Sequence, residues 1–302
     1  MNTVALVTSR ELPHLSADDR LLLEPLAALG VHAVPAVWDD PEVQWQDFDA
    51  VIVRSIWDYH KRILEFDEWL ARLTQVGARV WNQTAMLRWN SDKRYLLDLR
   101  QRGVPLVPTA ILSRDRVVDL GYVLQSNGWG RAVVKPTVSA SAYRTWLTEP
   151  ATAQRDQKEL VAMMMHSDVI VQPFLSEIVK DGEYSFVFFE GEYSHCVHKQ
   201  PRRGDYRTQP EHGGRWRSYA APKLHVAQAR AMLSTLPLSP MYARVDCIVS
   251  GDRLLLMELE LIEPDLGLTY DDGAALRFAN VIARMLRPAL ADGETFRLDA
   301  PA

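Results

Sequence analysis

The first 85 residues alternate short apolar runs with amphipathic stretches, and this alternation constrains the fold more than any other feature of the chain. Ser16 is positioned to cap a helix over Ala17–Leu29, and apolar residues spaced i, i+3, i+4, i+7 predict a helix over Leu64–Gln75. The apolar runs predict strands at Val4–Thr8, Val31–Val37, Asp49–Arg54 and Arg79–Trp81. Strands that alternate with helices form a parallel sheet covered by helices, so the chain is predicted to begin with a parallel α/β domain.

After residue 88 the pattern changes to that of an α+β protein. A helix is predicted from Asn90 or Ser91 to Arg102, with Lys93 in its first turn. Further helices are predicted at Val117–Ser126, Gln157–Met165, Lys223–Thr235 and Gly273–Leu290. Further strands are predicted at Thr109–Leu112, Arg131–Lys135, Thr145–Leu147, Val169–Gln172, Glu183–Glu190, Glu192–Lys199, Met241–Val249 and Arg253–Glu260. We therefore predict an α/β domain over 1–88 and two α+β lobes over 89–172 and 173–302.

Composition and missing motifs exclude several functional classes. The chain has 34 Lys and Arg against 39 Asp and Glu, a net charge of −5, so it lacks the basic excess of a dedicated nucleic-acid binder. No apolar run approaches the ~20 residues that span a bilayer, and the start lacks a signal-peptide pattern, which predicts a cytoplasmic protein without a membrane partner. Cys196 and Cys247 form no CxxC pair. The P-loop, GxGxxG and GxSxG motifs are absent, which disfavours P-loop NTPases, dinucleotide-binding enzymes and serine hydrolases.

The segment MYARVDCIVSGDRLLLMELELIEPD predicts an acidic β-hairpin near the C-terminus. Because side chains alternate across a strand, Arg244 and Asp246 share one face, as do Glu258 and Glu260, while Met257 is expected on the opposite face. Buried carboxylates need a cation, and hard oxygen donors suit Mg²⁺. The alternative is an ordinary solvated sheet face with an Arg–Glu pair.

Lysines at predicted strand ends are the second signal. Lys135 ends the strand in RAVVKPT, and Lys199 ends another. Either lysine alone is usually a solvated strand end, and Lys93 alone would be assigned to the surface. Such lysines can also hold polyphosphate as point charges. Together with the acidic hairpin they predict a triphosphate-and-metal site.

Short motifs then follow one another in a characteristic order: NSDKRYLLDLRQRGVPLVPT, VVKP, VQPF, DGEYSFVFF, HKQPRRGDYRTQPEHGG, YARVDCIV and LLMELELIEPD. This order resembles that of the ATP-grasp ligases over nearly the whole chain, and within them the glutathione-synthetase-like branch. VIVRSIWDYHKR, RWNSDKRYL and ELELIEP resemble the group that includes the cycloserine-pathway O-ureido-serine cyclo-ligase. The resemblance implies an N-terminal parallel α/β (pre-ATP-grasp) domain followed by two α+β lobes of an ATP-grasp fold, with ATP bound between the lobes.

The resemblance also implies a role for each residue that matches a family motif. The residues implied in nucleotide binding are Lys93, Lys135, Ser139, Gln172, Pro173, Phe174, Glu183 and Lys199. The implied metal ligands are Asp246, Glu258 and Glu260. Arg207 and Arg244 match cations that stabilise the reacting phosphate, and the backbone amides of Gly213 and Gly214 are candidates for contacting the acceptor.

Substrate selection is expected at the carboxyl end of the third strand, where Arg54, Ser55, Trp57 and Asp58 follow one another. Arg54 is placed to bind a carboxylate there. In the alternative, Arg54 pairs with Asp58, and Trp57 and Tyr59 pack the domain interface.

The chain departs from the family at three positions. Glu260 stands where the family commonly has Asn, and the loop after Lys135 reads TVSASAYR instead of a Gly-rich sequence. Asp265 stands where the subgroup often has a small hydroxyl residue. The last departure lies next to the expected substrate and bears on its identity.

The implied activity is ADP-forming ligation of a carboxylate to an amine or related nucleophile through an acyl phosphate. The implied substrate is an amino acid or small peptide, with intramolecular cyclisation of O-ureido-serine as one form. The implied cofactors are ATP and two Mg²⁺ ions, for which Mn²⁺ can substitute. Similar enzymes are commonly dimers, so a homodimer is an open expectation. The alternatives are a kinase or a non-catalytic nucleotide-binding module on the same fold.

Overall fold

The computed structural model describes residues 1–287 and contains three β-sheets. The strands are β1 (Asn2–Thr8), β2 (Val31–Val37), β3 (Ala50–Ser55), β4 (Val80–Trp81), β5 (Ala110–Leu112), β6 (Ala132–Pro136), β7 (Trp146–Thr148), β8 (Val169–Pro173), β9 (Glu183–Phe189), β10 (Glu192–Gln200), β11 (Arg215–Ser218), β12 (Tyr242–Ser250) and β13 (Arg253–Glu260). The helices are α1 (Ala17–Arg20), α2 (Leu23–Ala28), α3 (Ile63–Gln75), α4 (Thr84–Asn90), α5 (Tyr95–Gln101), α6 (Leu120–Ser126), α7 (Ala153–Met164), α8 (Glu177–Lys180), α9 (Lys223–Leu233) and α10 (Ala274–Met285).

The first sheet is parallel, in the order β2-β1-β3-β4, and it is buried on both faces. Alternate residues of β1 enter different cores, because successive side chains of a strand point to opposite faces. Val4 and Leu6 pack with residues of α2 and α10, whereas Ala5 and Val7 pack with the buried stripe of α3. The predicted parallel α/β start of the chain is confirmed.

Two helix predictions needed correction. The helix predicted over Ala17–Leu29 is divided into α1 and α2, because Pro25 lacks an amide hydrogen and is tolerated only in the first turn of a helix. Ser16 does cap α1, accepting a hydrogen bond from the Asp19 amide at 3.1 Å.

The helix predicted from Asn90 or Ser91 to Arg102 begins only at Tyr95, and α4 precedes it. Ser91 ends α4 by donating to the Arg88 carbonyl at 2.8 Å, and the Asp92 side chain accepts from the Arg94 amide at 2.9 Å. Lys93 therefore lies in the turn between two helices and not in the first turn of one.

The other two sheets are antiparallel, as expected for two α+β lobes. One has the order β5-β8-β6-β7 and is covered by α6 and α7. The other has the order β11-β10-β9-β12-β13 and is covered by α5 and α9. The predicted domain limits at 88/89 and 172/173 fall inside α4 and β8, so the three-part division stays a prediction with its limits moved into neighbouring loops.

The free edge of β13 is covered by side chains from the segment around α4. The Asn90 side chain donates to the Leu259 carbonyl and accepts from the Leu261 amide, both at 2.8 Å. The Tyr95 hydroxyl accepts from the Leu259 amide at 2.9 Å. These bonds satisfy an edge that would otherwise be unpaired and hold the acidic strand against the preceding segment.

The last helix, α10, ends at Met285, and the part of the predicted helix beyond residue 287 lies outside the described residues. Within residues 1–287, none of the helices combines the length and apolar character needed to cross a membrane.

Candidate active site

A cavity of about 680 Å³ lies between the two antiparallel sheets and reaches the N-terminal domain at Trp57 and Tyr59. It brings together most of the side chains that the sequence predicted for the site. The predicted residues that line it are Trp57, Lys93, Lys135, Ser139, Gln172, Pro173, Phe174, Glu183, Lys199, Arg207, Arg244, Asp246, Glu258 and Glu260. The described lining does not include Arg54, Ser55, Asp58, Gly213 or Gly214.

The register of the acidic hairpin explains how its charged residues meet. Arg244 pairs with Glu260 and Asp246 with Glu258 across the two strands, so the predicted common face is confirmed. A bulge follows, because Cys247 pairs with Leu256 and the intervening Met257 has no partner. The bulge turns Met257 toward the cavity, and the expectation that it lies on the opposite face is wrong.

Three cations neutralise the carboxylates of this hairpin and its neighbour β9, and we call these seven residues the ion-pair network. Its members are Lys93, Glu183, Lys199, Arg244, Asp246, Glu258 and Glu260. Arg244 lies 2.9 Å from Asp246 and 2.6 Å from Glu260. Lys199 lies 3.1 Å from Glu183, and Lys93 lies 2.9 Å from Glu258.

The network is buried, so the alternative of a solvated sheet face is wrong, although the Arg–Glu pair it included is present. The side chains of Asp246 and Lys199 are only 5% and 3% exposed, while those of Glu258 and Glu260 are 28% and 26% exposed and line the cavity. A buried charge is tolerated only when it is paired and hydrogen-bonded. Ser185 donates to Asp246 at 2.6 Å, which adds such a bond.

Charge and burial act in opposite directions on the carboxyl groups. Burial would raise the pKa of Asp246, but Arg244 and Lys199 lower it to about 2. Burial likewise opposes ionisation of Glu258, but Lys93 and Lys135 keep its pKa below the ordinary value. Burial raises the pKa of Glu260 to about 7 despite the nearby Arg244. Asp246 and Glu258 are therefore ionised at neutral pH.

The carboxylates suit a hard cation by their chemistry. Asp246, Glu258 and Glu260 offer oxygen donors from one face of a buried hairpin, two of them ionised. Oxygen donors of this kind are what Mg²⁺ prefers. In the described range 1–287, no three acidic, His or Cys side chains already converge as a metal-binding group. The oxygen donors fit Mg²⁺. In this structure Lys93 forms an ion pair with Glu258, and Arg244 forms ion pairs with Asp246 and Glu260.

One region of the cavity is apolar and lies at the end of β8, and we call it the apolar hinge region. Gln172, Pro173 and Phe174, which the resemblance implies in nucleotide binding, lie where β8 ends and the next segment begins. The Phe174 amide donates to the Arg131 carbonyl at 2.8 Å. The Arg131 guanidinium stacks 4.6 Å from the Phe174 ring centre. The apolar residues that complete this region are Val107, Leu175, Ile178, Ile248 and Met257. They offer a flat surface for an aromatic base.

These apolar residues were missed by the sequence reasoning. Alternation from Asp246 would have placed Ile248 on the cavity side, because the two residues are two positions apart on one strand. Val107 and Ile178 lie in a loop and a short helix, where no periodicity was available to find them. The bulge at Met257 has no signature in the sequence.

Two loops border the cavity: the first loop comprises residues 137–145, between β6 and β7, and the second loop residues 201–214, between β10 and β11. Lys93 donates to the Ser139 carbonyl in the first loop, and three non-glycine residues there, Ser141, Ala142 and Arg144, have positive φ. In the second loop, Arg207 lies on the cavity lining, pairs with Asp205 at 2.9 Å and is partly exposed.

The two predicted glycines have a local role in the second loop. Gly213 has a φ of +82°, and a Cβ on Gly214 would lie 2.0 Å from the Thr208 carbonyl oxygen. They allow a tight turn that supports the cavity-lining residues from Tyr206 to Glu211.

Arg54 is fully buried behind the cavity. Its Nε donates to Asp19 at 2.8 Å and its Nη2 to the Pro264 carbonyl at 2.6 Å. Neither interpretation from the sequence describes it, because its ionic partner is Asp19 and not Asp58, and it does not reach the described lining. Ser55 also donates to Asp19, at 2.5 Å. Arg54 therefore joins the N-terminal domain to the segment after β13, whereas Ser55 makes its contacts within the N-terminal domain.

Asp58 has a similar structural role, since it accepts from the Trp38 indole at 3.1 Å. Trp57 does reach the cavity, and its indole donates to the Glu263 carbonyl at 3.1 Å. Tyr59 is buried in the core of the N-terminal domain and also lines the cavity, whereas the alternative expected it to pack the domain interface. Glu263, which the sequence reasoning did not assign to the site, and Asp265, which it noted as a departure bearing on substrate identity, line the same cavity as Trp57.

A parallel α/β domain followed by two antiparallel lobes around such a cavity defines an ATP-grasp ligase. A crystal structure of D-alanine–D-alanine ligase from Bacillus anthracis has this fold, with a TM-score of 0.69 at 15% identity over 95% of this chain and 97% of that one. A family model described as the N-terminal domain of D-cycloserine synthetase DcsG matches residues 4–82. The cycloserine biosynthesis protein DcsG of Streptomyces lavendulae is 34% identical over 307 residues, covering 95% of this chain and 100% of the relative.

The crystal structure of D-cycloserine synthetase DcsG superposes with a TM-score of 0.86 at 30% identity, over 95% of this chain and 100% of that one. This chain therefore belongs to the DcsG family of ATP-grasp ligases. It is an ATP-dependent, ADP-forming ligase that makes C–N bonds. The predicted fold class, superfamily and enzyme class are confirmed, and family membership disfavours the kinase and the non-catalytic module.

Proposed function

We propose that this ligase activates the carboxylate of an amino-acid-like substrate with ATP and closes it onto a nitrogen of the same molecule, forming cycloserine from O-ureido-serine. The observation that carries the proposal is the match to the cycloserine biosynthesis protein along 95% of the chain. The continuous cavity supports it, because one space joins the ion-pair network to the N-terminal domain at Trp57.

ATP binds with its base on the apolar hinge region and its phosphates toward the lysines. Lys93, Lys135 and Lys199 are the cations that meet the phosphates, with Ser139 covering them from the first loop. Gln172, Pro173 and Phe174 present backbone groups to the base, and Glu183 accepts from the ribose. Burial lowers the pKa of Lys135, and a phosphate beside it would restore the charged form.

Asp246, Glu258 and Glu260 would hold one or two Mg²⁺ ions, for which Mn²⁺ can substitute. When bound, the metal neutralises charge on the phosphate oxygens and holds them in place. The support for this assignment is the chemistry of the donors and the low pKa values of Asp246 and Glu258.

The reaction has two displacement steps. A carboxylate oxygen of the substrate attacks the γ-phosphorus, and the bond from that phosphorus to ADP breaks. The nitrogen bonded to the side-chain oxygen then attacks the carbonyl carbon, loses its proton, and inorganic phosphate leaves, which closes the ring. A following hydrolysis removes the carbamoyl group from that nitrogen: water breaks the N–C bond, the ring nitrogen keeps a proton, and the released carbamic acid decomposes to CO₂ and ammonia. Arg244 and Arg207 stabilise the negative charge that develops in these steps. The two loops exclude water, which would otherwise hydrolyse the acyl phosphate.

The test is an ADP-release assay over O-ureido-D-serine, its L-isomer, single amino acids and dipeptides, with product masses. The expected result is ADP release with O-ureido-serine and a product of the mass of cycloserine. A product that joins two substrate molecules would instead identify an intermolecular ligase, and a stable phosphorylated product would identify a kinase. A homodimer and a cytoplasmic location remain predictions for light scattering and fractionation.

A further inference from the structure

The carboxylates of the cavity differ in whether a cation neutralises them. Every carboxylate of the ion-pair network has a lysine or arginine within hydrogen-bond distance. Glu263 and Asp265, which we call the acidic wall, line the same cavity and form no ion pair within the described residues 1–287. Glu211 on the second loop is also without an ion pair, but it is exposed to solvent. Among the described residues that line the cavity, the half-buried acids without an ion pair are therefore the two residues of the wall.

The wall is held in place through its backbone, which leaves its carboxylates available. The Trp57 indole donates to the Glu263 carbonyl at 3.1 Å, and Arg244 donates to the Asp265 carbonyl at 2.8 Å. One oxygen of the Asp265 side chain accepts from the Gly267 amide at 2.9 Å. The same arginine that serves the ion-pair network thus fixes the position of the wall.

A further acid lies behind the wall. Asp18 is only 7% exposed. Its Oδ1 accepts hydrogen bonds from the Thr269 amide and hydroxyl at 3.0 and 3.1 Å. Its Oδ2 is buried and has no hydrogen-bond partner among the described residues. Burial and the nearby charge of Asp265 raise the pKa of Asp18 to about 6. The adjacent Arg54 pairs with Asp19, and Asp18 forms no ion pair within residues 1–287.

We propose that Glu263 and Asp265 bind an ammonium group of the substrate, so that the enzyme selects an amino acid with a free amine and directs its carboxylate toward Arg244. This inference rests on the proposed function and names the residues that determine its specificity. A substrate cation supplies the charge that the protein does not, and the Trp57 ring offers it an adjacent aromatic face. Asp265 is the position where resemblance to the subgroup predicts a small hydroxyl residue, so this chain adds a carboxylate there.

The test compares two probes that differ only in the amine: O-ureido-D-serine and its analogue with hydrogen in place of the amino group. Binding is measured by calorimetry with Mg²⁺ and a non-hydrolysable ATP analogue, and turnover by ADP release. We expect the wild-type protein to prefer the amine, and Asp265→Asn and Glu263→Gln each to reduce that preference roughly 10- to 100-fold, the loss expected for one hydrogen bond to a charged group. Affinity for the analogue and for ATP should be unchanged.

Glu211→Gln is the matched control, because it removes an unpaired cavity carboxylate outside the wall, and the amine preference should survive it. Asp265→Ser serves as a second variant if Asp265→Asn folds poorly. Equal wild-type binding of the two probes, no binding of either, or an unchanged preference in both wall variants would overturn the inference. Its failure is distinguishable from that of the proposed function. Cycloserine production with no amine preference refutes only the inference, whereas a different product with the preference intact refutes only the cyclisation.

Discussion

The ion-pair network and the acidic wall lie in one cavity but solve the problem of buried charge in different ways. In the network, protein cations lie 2.6–3.1 Å from the carboxylates they neutralise, and the side chains come from neighbouring strands of one sheet, apart from Lys93. In the wall, the carboxylates have no such partners among residues 1–287, and their position depends on contacts with Trp57 of the N-terminal domain and with Arg244.

The difference indicates what each part requires from a ligand. The network is already close to electrically balanced, so a nucleotide and its metal must rearrange existing ion pairs. The wall forms no ion pair with a protein cation within residues 1–287, and burial raises the pKa of Glu263 to about 8, so a cation from the substrate would favour the ionised form of this carboxyl group. We therefore expect changes in the network to act on phosphoryl transfer and changes near the wall to act on substrate choice and on stability.

The largest effect is expected for Glu258→Gln, which removes a central carboxylate of the network. The variant loses a metal ligand and leaves Lys93 without its anion, so ADP release should fall about 1000-fold or more, equivalent to several kcal/mol of transition-state stabilisation. ADP release should be measured with Mg²⁺ and with Mn²⁺, using Glu211→Gln as the control. Activity within tenfold of the wild type would refute the metal assignment.

Arg54→Met should have the next largest effect, on folding. Arg54 is fully buried, and its removal leaves Asp19 as an uncompensated buried charge, which typically costs about 3–5 kcal/mol. The measurement is the free energy of unfolding in urea.

Arg88→Met is the matched control for Arg54→Met, because Arg88 forms an exposed pair with Asp67, with side chains 47% and 44% exposed. Exposed pairs contribute about 0–1 kcal/mol. Equal destabilisation by the two variants would show that Arg54 is not the link between the N-terminal domain and the segment after β13.

Much of the network could be predicted from the sequence, and little of the region around the wall. Arg244, Asp246, Glu258 and Glu260 lie on two strands joined by a tight turn, and the two-residue period of a strand places them on one face without further information. The three lysines were found because each lies within a short motif that resembles one of the ATP-grasp family. These features are local, so sequence spacing is sufficient to find them.

The wall and its supports depend on contacts between distant segments. Arg54 has its ionic partner 35 positions earlier and its carbonyl partner 210 positions later, and no periodicity relates these residues. Met257 reached the cavity only through a bulge, and Lys93 through an irregular turn between helices. Spacing rules fail in such places because tertiary packing, and not the local chain, decides the position of the side chain.

The wall also predicts an effect of pH on stability. Burial and the charge of Glu260 raise the pKa of Glu263 from 4.5 to about 8. The unfolded chain releases this proton near pH 4.5, whereas the folded chain keeps it until about pH 8, so the contribution of Glu263 is fully present below pH 4.5 and is lost as the pH rises to 8. The glutamine side chain of the Glu263→Gln variant does not titrate, so the free energy of unfolding of this variant relative to the wild type should increase between pH 5 and 8.5. The expected increase is roughly 2–3 kcal/mol, less than the full pKa shift would give, because Glu263 is only half-buried.

Comparing the two proteins cancels the titrating groups that do not interact with Glu263, whereas Glu260, whose charge raises the pKa of Glu263, contributes to the measured difference. The measurement is urea unfolding at several pH values. A constant difference between the two proteins across this range would show that Glu263 is ionised in the empty cavity.

The smallest effect is expected for Lys135→Ala, which separates ligand binding from stability within the cavity. Lys135 lines the cavity and is half-buried, and burial lowers its pKa, so its charge is a cost to the empty protein. Loss of one charged contact to phosphate should weaken ATP binding roughly 10- to 100-fold, or about 1.5–3 kcal/mol, while the free energy of unfolding stays equal or rises slightly.

Lys93→Ala is the comparison, because it weakens ATP binding and also leaves Glu258 unpaired, which lowers stability. Calorimetry with ATP and urea unfolding of both variants separate these effects. Unchanged ATP affinity in Lys135→Ala would remove this lysine from the phosphate site, and a loss of stability equal to that of Lys93→Ala would show that it belongs to the ion-pair network after all.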